Sequence, residues 1–316
     1  MLTRMRTADR RELGAFLALL TVTAAWGSTF FMIKDIVTRL PVADLLAVRF
    51  AIASLTLLVF SIGRLRLSRR TLQRGLLLGV LYGIAQILQT TGLAHTAASV
   101  SGFITGLYVV ATPLLSALIL RTTIPRTTWF ATVLATIGLG VLSLNGFSIG
   151  YGELLTLASA LVYALHIVAL SRLSDGTDAL SLSVVQMVVI TICCTLVALP
   201  GGITLPDSRT DWLIVIYLAV IAGALTMFAQ TWAQARIDAS RAAVIMALEP
   251  VWAAFFAVTL GGESITVRMI IGGLAILGAI YLVELAPRLS KPRPGNGRPG
   301  NGRPGNRRPP QRAERT

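Results

Sequence analysis

The chain has 316 residues, of which 54% are hydrophobic and only 13% are charged, and its 28 basic and 14 acidic residues give a formal net charge of +14. About a quarter of the residues of a typical soluble domain are charged, so this composition excludes an ordinary soluble protein of one or two domains. The positive charge does not indicate nucleic-acid binding either, because nine basic residues lie after Pro287 and four lie before Glu12. The sequence therefore predicts an integral membrane protein with basic ends.

Ten apolar stretches follow one another along the chain, and each is about as long as the roughly 20 residues that cross a bilayer as an α-helix. The first stretch follows a basic N-terminal segment, residues 1–12, but it is too long for a signal peptide and lacks a convincing cleavage site. We therefore expect an all-α membrane protein whose first helix is retained. The predicted transmembrane helices are 13–36, 42–63, 72–94, 98–120, 127–145, 151–171, 180–199, 211–235, 240–260 and 267–286.

The basic residues predict how these helices are oriented. If the N-terminus is cytoplasmic, 23 basic residues fall on the cytoplasmic side, four fall on the opposite side, and Arg49 lies within a span. This imbalance is typical of membrane proteins, whose cytoplasmic loops are enriched in Lys and Arg. We expect a multi-pass protein of the cell's inner membrane with an even number of helices and both termini in the cytoplasm.

The segments outside the spans leave little room for chemistry. The loops are short, and the sequence contains no phosphate-binding loop, zinc-binding His pair or hydrolase nucleophile motif. Cys193 and Cys194 are adjacent in an apolar run, which favours neither a disulfide nor a metal site. Residues 287–316 repeat Arg-Pro-Gly-Asn and predict a disordered basic cytoplasmic tail. We therefore do not expect an enzyme, a cofactor or a metal site.

The two halves of the chain, residues 13–145 and 150–286, resemble two copies of one five-helix unit. Three pairs of residues are each separated by 137 positions: Trp26 and Tyr163, Arg49 and Gln186, and Pro113 and Pro250. Because five is an odd number, the second copy enters the membrane from the opposite face. The sequence thus predicts ten transmembrane helices arranged as two inverted five-helix repeats, an architecture that suits alternating access around a site near the membrane midplane.

Several short motifs occur in order along the predicted spans. They are Trp26-Gly27-Ser28-Thr29, Ile33-Lys34, Arg49-Phe50, Leu248-Glu249-Pro250-Val251 and Gly262-Glu263. Together they resemble the EamA family of the drug/metabolite transporter superfamily over most of residues 12–286. The resemblance implies secondary transport, often export of amino acids or other small metabolites, through a cavity lined by helices 1–4 and 6–9. The sequence departs from the family pattern at residues 120–123, where Leu-Arg-Thr-Thr replaces a glycine–glutamate pair.

Two ionisable residues, Arg49 and Glu249, lie within predicted spans, where a charge costs about 2.5–3.5 kcal/mol on insertion scales. At about 1.5 Å per residue, their depths in a core of about 30 Å differ by about 5 Å. We expect them either to share the central cavity or to form a static ion pair between two helices. Pro250 follows Glu249 and is expected to kink the ninth helix, so Pro250 and its counterpart Pro113 are candidate gating residues.

Polar side chains also recur at helical spacing in two spans. Tyr82, Gln86 and Gln89 share one face of the third span, and Thr226, Gln230 and Gln234 share one face of the eighth. Such stripes either line an aqueous cavity or join neighbouring helices by hydrogen bonds.

His166 is the one histidine within a predicted span, and it either relays protons near neutral pH or is a satisfied hydrogen-bonding residue. Four aromatic residues lie inside spans, away from the interfaces where aromatic belts occur. They either contact a substrate or a gate, or serve only in packing. These residues are Trp26, Tyr108, Tyr163 and Trp252.

These observations and the resemblance predict a secondary active or facilitative transporter, by resemblance an exporter, of a small organic metabolite such as an amino acid or a drug-like compound. Its partners would be this substrate and the lipid bilayer, without nucleic acid. Proton coupling through Glu249 or His166 and facilitated diffusion are both open, as are a monomer and a homodimer. A non-transporting scaffold and a membrane-embedded lipid-modifying enzyme are the alternatives.

Overall fold

The computed structural model describes residues 2–120, 126–145, 148–174, 179–236 and 248–289, together with residues 242, 245 and 246. The first half contains the helices α1 (Leu2–Ile36), α2 (Val42–Phe60), α3 (Arg69–Ala94), α4 (Ala98–Gly106), α5 (Tyr108–Leu120) and α6 (Arg126–Ser143). The strands β1 (Leu144–Asn145) and β2 (Ser148–Ile149) form one short antiparallel pair between the halves. The second half contains α7 (Tyr151–Leu173), α8 (Ala179–Ala198), a 3-10 turn (Leu199–Gly201), α9 (Arg209–Ile216), a π-helical segment (Tyr217–Leu225), α10 (Thr226–Gln234), α11 (Glu249–Thr259) and α12 (Val267–Leu289).

Each predicted span overlaps a helix of the structure, although some bounds differ. Helix α1 begins at Leu2 rather than at residue 13. The fourth span is divided at Leu107, whose amide donates at 3.1 Å to the carbonyl of Ile104, three residues earlier, as in a 3-10 turn. Most of residues 240–247, which begin the predicted ninth span, lie outside the described residues, and so does the predicted tail beyond Leu289.

The helices of the described part carry enough apolar surface for a membrane environment. Seven helical stretches there are long and apolar enough to cross a membrane, and two shorter apolar helices, Trp129–Val141 and Val267–Ala279, accompany them. Large apolar side chains face outward, since Leu118, Phe130 and Leu274 are 73%, 70% and 65% exposed. Exposed apolar surface on this scale is typical of a surface that contacts lipid or another protein. The prediction of a helical protein with several membrane-spanning helices is therefore confirmed.

The most extensive helix contacts between the two halves are symmetrical: where two helices touch, their counterparts in the other half touch as well. The counterparts are α1 and α7, α2 and α8, α3 and the α9–π–α10 segment, α4–α5 and α11, and α6 and α12. Counterparts contact one another in three places: α2 with α8, α4 with α11, and α6 with α12. The other contacts come in pairs: α1 with α10 matches α7 with α3, α1 with α11 matches α7 with α4 and α5, and α2 with the π-helical segment matches α8 with α3. The two halves are therefore interleaved rather than packed side by side.

Hydrogen bonds bring alternate loops to one end of the bundle, which we call the acidic end because it carries Asp35, Asp44, Glu153, Asp211 and Glu263. Four bonds there are Lys34 Nζ to the Ala94 carbonyl (3.0 Å), Arg39 Nη2 to Asp211 Oδ1 (2.7 Å), the Thr204 amide to Asp44 Oδ2 (3.0 Å) and Thr96 Oγ1 to Glu153 Oε1 (2.8 Å). At the opposite end, the Arg66 amide donates to Ser181 Oγ at 3.0 Å. We call this the basic end because it carries Arg64, Arg66, Arg69, Arg70 and Arg172.

Glycines bring α3 into close contact with α8. A Cβ atom placed on Gly79 would lie 2.6 Å from Val189 Cβ and 2.8 Å from the Gln186 carbonyl oxygen. A Cβ on Gly83 would lie 3.2 Å from Cys193 Cβ. Small residues at such positions let two membrane helices approach closely, which increases their van der Waals contact. This interface joins the third helix of one half to the second helix of the other.

We expect Gly79→Ala to lower the free energy of unfolding by about 1–3 kcal/mol, because the added methyl group overpacks the interface between α3 and α8. Thermal unfolding of the purified protein in detergent measures the effect. Gly201→Ala is the matched control, since a Cβ there would meet no atom within 4 Å. Equal stability of the two variants would contradict the close approach of α3 and α8.

Candidate functional site

A small cavity of about 30 Å³ lies where helices of both halves meet. A cavity of this volume can hold a water molecule. Ten of the twelve residues predicted to line a cavity are on its wall: Trp26, Arg49, Tyr82, Gln86, Gln89, Tyr108, Tyr163, His166, Gln230 and Glu249. The wall also includes five residues that were not predicted: Thr29, Phe30, Thr105, Ile167 and Met246.

Helix α2 places the Arg49 side chain on one wall of the cavity. The residue is 3% exposed, and its Nε–H donates to the Leu218 carbonyl oxygen at 3.2 Å. The guanidinium carbon lies 4.9 Å from the centre of the Phe50 ring. The Nη1 atom is buried and has no hydrogen-bond partner. Arg49 therefore brings a positive charge to the cavity with part of its donor capacity unused.

Glu249, the first residue of α11, lies on another wall and is 4% exposed. The Tyr108 hydroxyl lies 2.9 Å from Glu249 Oε2 and donates to it, and it also lies 3.0 Å from the Met246 carbonyl oxygen. Both salt bridges within 4.0 Å among the described residues involve Arg39. Arg49 and Glu249 thus line one cavity without forming an ion pair with each other.

The polar stripe of α3 contributes both to the cavity wall and to contacts between helices. Gln86 Nε2 donates to the Tyr82 hydroxyl at 3.4 Å. Gln89 joins two other helices, because Tyr163 on α7 donates to its Oε1 at 3.0 Å and its Nε2 donates to Thr105 Oγ1 on α4 at 3.1 Å. Residues of this stripe therefore both line the cavity and join neighbouring helices by hydrogen bonds.

His166 is fixed among aromatic and amide groups of both halves. Its Nε2 lies 3.0 Å from Gln186 Oε1, and its ring packs edge-on against Tyr82 with 5.1 Å between the ring centres. Tyr82 makes a similar edge contact with Tyr163 at 5.5 Å. His166 is thus hydrogen bonded on one side, while its Nδ1 has no partner and belongs to the cavity wall.

The eighth span meets the cavity through Gln230, whereas Gln234 and Trp252 lie outside it. Gln234 Nε2 donates to Met246 Sδ at 3.5 Å. Trp252 stacks on Phe256 with 6.0 Å between the ring centres. Spacing in the sequence gives the face of a helix, but how far along that face a cavity extends depends on the packing of neighbouring helices.

The two candidate gating prolines occupy different positions in their helices. Pro113 lies inside α5. Pro250 lies in the first turn of α11, where proline is well tolerated because its missing N–H would have no intrahelical partner. Pro113 therefore interrupts a helical hydrogen-bond ladder, and Pro250 begins a new helical segment.

The π-helical segment, Tyr217–Leu225, was not predicted, and nothing in its apolar sequence signals it. Its carbonyl groups hold two cavity residues: the Leu218 carbonyl accepts from Arg49 Nε, and the Ala222 carbonyl accepts from Trp26 Nε1 at 3.2 Å. Trp26 Nε1 also donates to Thr226 Oγ1 at 3.0 Å. π-Helical turns are rare and occur often at functional sites. Here the segment positions side chains from two other helices.

Several residues of the cavity wall carry a buried polar atom without a hydrogen-bond partner in the protein. Buried polar atoms are normally satisfied by protein groups or by ordered water, so these are atoms that water or a polar ligand can satisfy. The four atoms are Arg49 Nη1, Gln86 Oε1, His166 Nδ1 and Gln230 Oε1.

At the acidic end, Glu263 closes the start of α4. Its carboxylate accepts hydrogen bonds from the Ala98 amide at 2.6 Å, from the Ser99 amide at 3.3 Å, and from the Ser99 hydroxyl. An acidic group at a helix N-terminus satisfies free amides and interacts favourably with the helix dipole. Glu263 thereby ties the loop before α12 to α4.

Arg39 makes a second connection at the acidic end. It donates to Asp35 and to Asp211, each at 2.7 Å, and so joins the loop after α1 to the start of α9. The hydrogen bonds with Asp35 and Asp211 raise the pKa of the Arg39 guanidinium above its ordinary value.

The chain is similar to a known transporter family and to its individual members. The sequence pattern of the EamA-like transporter family matches residues 13–144 and again residues 150–285. An uncharacterized transporter of Archaeoglobus fulgidus is 31% identical over 276 residues, which cover 87% of both chains. The uncharacterized inner membrane transporter YedA of Escherichia coli K12 is 26% identical over 294 residues, which cover 90% of this chain and 95% of YedA. A protein crystal structure with 18% identity superposes with a TM-score of 0.66 over 88% of this chain and 98% of the other, which shows a shared fold.

We expect Glu263→Gln to lower the thermal stability of the purified protein, because the amide side chain replaces a charge-assisted cap of α4 with a weaker one. Loss of such a cap costs about 1 kcal/mol. Asp207→Asn serves as the control, since Asp207 is an exposed acid at the same end of the bundle. If both variants unfold at the wild-type temperature, Glu263 does not stabilise the start of α4.

Proposed function

Because this chain belongs to the EamA-like transporter family, we propose that it is a secondary or facilitative transporter of a small organic metabolite in the inner membrane, and that export is its direction. The observation that carries the proposal is the polar cavity, which both halves line and which contains Arg49 and Glu249 in an otherwise apolar bundle. Charged and polar groups enclosed at membrane depth are costly and usually mark a transport pathway. A scaffold would need no such cavity.

The proposed architecture is ten membrane-spanning helices in two inverted repeats, residues 13–145 and 150–286, with both termini in the cytoplasm. Three wall residues of α1, Trp26, Thr29 and Phe30, support the repeat. Their counterparts 137 positions later are Tyr163, His166 and Ile167 on α7, and all six line the same cavity. The exchangeable helix contacts support it as well. In this arrangement the acidic end is extracellular or periplasmic and the basic end is cytoplasmic.

The proposed mechanism is alternating access, in which the cavity opens to one end at a time. A cavity of about 30 Å³ is too small for an organic metabolite, so the present arrangement corresponds to a closed state between the two open ones. Pro113 and the start of α11 at Pro250 are the points where we propose that the helices bend. The links at the acidic end, through Glu263 and Arg39, break when that end opens.

Glu249 is the residue through which we propose that a proton is coupled to transport. Its carboxylate is enclosed, lies on the cavity wall and makes its described side-chain bond with a neutral hydroxyl, that of Tyr108, rather than with a cation. A carboxyl group in such surroundings can change its protonation state when the cavity opens to water. His166 is less suited to this role because Gln186 and Tyr82 hold its ring in place.

We expect a cysteine at position 207, introduced by Asp207→Cys, to react in intact cells with a membrane-impermeant maleimide. A cysteine introduced by Arg64→Cys should react only after the membrane is permeabilised, because residue 64 lies at the cytoplasmic end of the proposed topology. Both substitutions are made in a protein carrying Cys193→Ser and Cys194→Ser, which removes the native thiols. Labelling of position 64 but not 207 in intact cells would reverse the orientation, and labelling of both would contradict the five crossings, an odd number, proposed between these two positions.

We expect Glu249→Gln to abolish accumulation driven by a pH gradient in liposomes that contain only this protein, while exchange of substrate for substrate continues. The reason is that the amide cannot release a proton, whereas exchange needs no net proton movement. Fluxes are measured with a panel of amino acids, nucleosides and organic acids, with Asp207→Asn as the control. Full gradient-driven accumulation by Glu249→Gln would remove Glu249 from the coupling, and absence of flux for the whole panel in the wild type would overturn the transport proposal.

A further inference from the structure

We infer that Arg49 is the anion-binding residue of the cavity and that the substrate is a small organic monocarboxylate that also carries a hydrogen-bond donor. This inference rests on the proposed transport function and assigns a substrate class to the same cavity. It starts from the observation that the buried charge of Arg49 takes part in neither salt bridge of the described residues.

The guanidinium of Arg49 is enclosed without a counter-charge. It is 3% exposed, and a carbonyl oxygen, that of Leu218, is its described hydrogen-bond acceptor. A buried charge is stable only when it is paired and hydrogen bonded. Neither salt bridge among the described residues includes Arg49, and the acid on the same wall, Glu249, bonds the Tyr108 hydroxyl, so a ligand carboxylate would supply the charged acceptor that Arg49 lacks there.

The fold itself does not need a charge at this position. The counterpart of Arg49 in the second half, 137 positions later, is Gln186, and it is fully buried. Gln186 is satisfied within the protein by His166 at 3.0 Å and by the Leu182 carbonyl at 3.3 Å. A neutral amide therefore fills the equivalent place between the helices. The charge of Arg49 adds a property that the packing of the bundle does not require.

The contact with the π-helical segment leaves the Nη edge of Arg49 available to a ligand. The Leu218 carbonyl is bonded by Nε, whereas Nη1 has no partner. The planar guanidinium binds carboxylates through parallel N–H groups, a geometry that the ammonium of lysine cannot reproduce. The segment thus fixes the side chain while its donor groups stay unused at the cavity.

The other residues of the cavity wall indicate which net charge the ligand carries and which second functional group it needs. The wall carries one cationic residue, Arg49, and one acidic residue, Glu249. With Glu249 protonated, as in the proposed coupling, a monocarboxylate balances the single positive charge of Arg49, whereas a dianionic phosphate leaves an uncompensated negative charge in a low-dielectric site. Gln86 Oε1 and Gln230 Oε1 are unsatisfied acceptors, so we expect the ligand also to bring an N–H or O–H donor.

Matched pairs of ligands that differ only in the carboxylate test this inference. The pairs are lactate and lactamide, serine and serinamide, and 4-hydroxybenzoate and 4-hydroxybenzamide. Binding is measured from the shift of the thermal unfolding midpoint of the full-length purified protein as ligand concentration rises. We expect at least one carboxylate to stabilise the wild type and its amide to bind about tenfold more weakly or worse, because the amide has no charge to pair with Arg49.

Two substitutions separate binding from folding. Arg49→Gln copies the residue of the counterpart position and is expected to fold, as judged by gel filtration, but to lose the preference for the acid over the amide. Arg49→Lys keeps the charge and is expected to bind the carboxylate about tenfold more weakly. Arg172→Lys, at an exposed position outside the cavity, should leave binding unchanged.

Equal binding of acids and amides, stabilisation by none of the carboxylates, or wild-type carboxylate binding by Arg49→Gln would overturn the inference. Liposome flux keeps this outcome distinct from failure of the proposed function. Flux of neutral compounds without flux of any carboxylate overturns the carboxylate class alone. Absence of flux for every compound overturns transport itself.

Discussion

The enclosed guanidinium of Arg49 is the constraint on which the rest of the cavity depends. A positive charge at membrane depth must be held away from lipid and given hydrogen-bond acceptors. The protein supplies one acceptor, the Leu218 carbonyl of the π-helical segment, and encloses the guanidinium in a cavity whose wall includes tyrosine and glutamine side chains. Each of these groups in turn needs partners, which explains why hydrogen bonds cross from α3 to α4 and α7 at the same level.

The two halves of the bundle share a packing plan but differ in the chemistry they bring to the cavity. Equivalent positions of α1 and α7 both face the cavity, so the plan places corresponding residues at one site. The residues themselves differ: Trp26 corresponds to Tyr163, and Arg49 corresponds to Gln186. The halves also differ in the residue after the fourth helix. Glu263 of the second half caps α4, whereas the equivalent stretch of the first half contains Leu120-Arg121 and no acid. In the proposed inverted-repeat architecture, equivalent positions thus carry different side chains, which would give a transported molecule a defined orientation.

The parts that could be predicted from the sequence are those with a large energetic signature. Arg49 and Glu249 interrupt long apolar runs, and the cost of a charge in the bilayer marks them as inward-facing residues. The helices follow from the same hydropathy. The π-helical segment could not be predicted, because Tyr-Leu-Ala-Val-Ile-Ala-Gly-Ala-Leu suits an α-helix equally well, and its hydrogen bonds with Arg49 and Trp26 join residues distant in the sequence. The positions of Gln234 and Trp252 outside the cavity depend likewise on how neighbouring helices pack.

The contacts at the acidic end differ in kind from those in the bundle interior, and the difference bears on how the cavity can open. The Arg39–Asp35 pair lies near the surface, with side chains 45% and 56% exposed, whereas the Asp211 side chain that Arg39 also bonds is 10% exposed. Exposed ion pairs contribute about 0–1 kcal/mol, so the Arg39–Asp35 link forms and breaks at little cost. The interface of α3 and α8, by contrast, is packed through Gly79 at distances that leave no room for a methyl group. In the proposed cycle, α3 and α8 therefore move as a unit, and the end loops are the contacts that exchange.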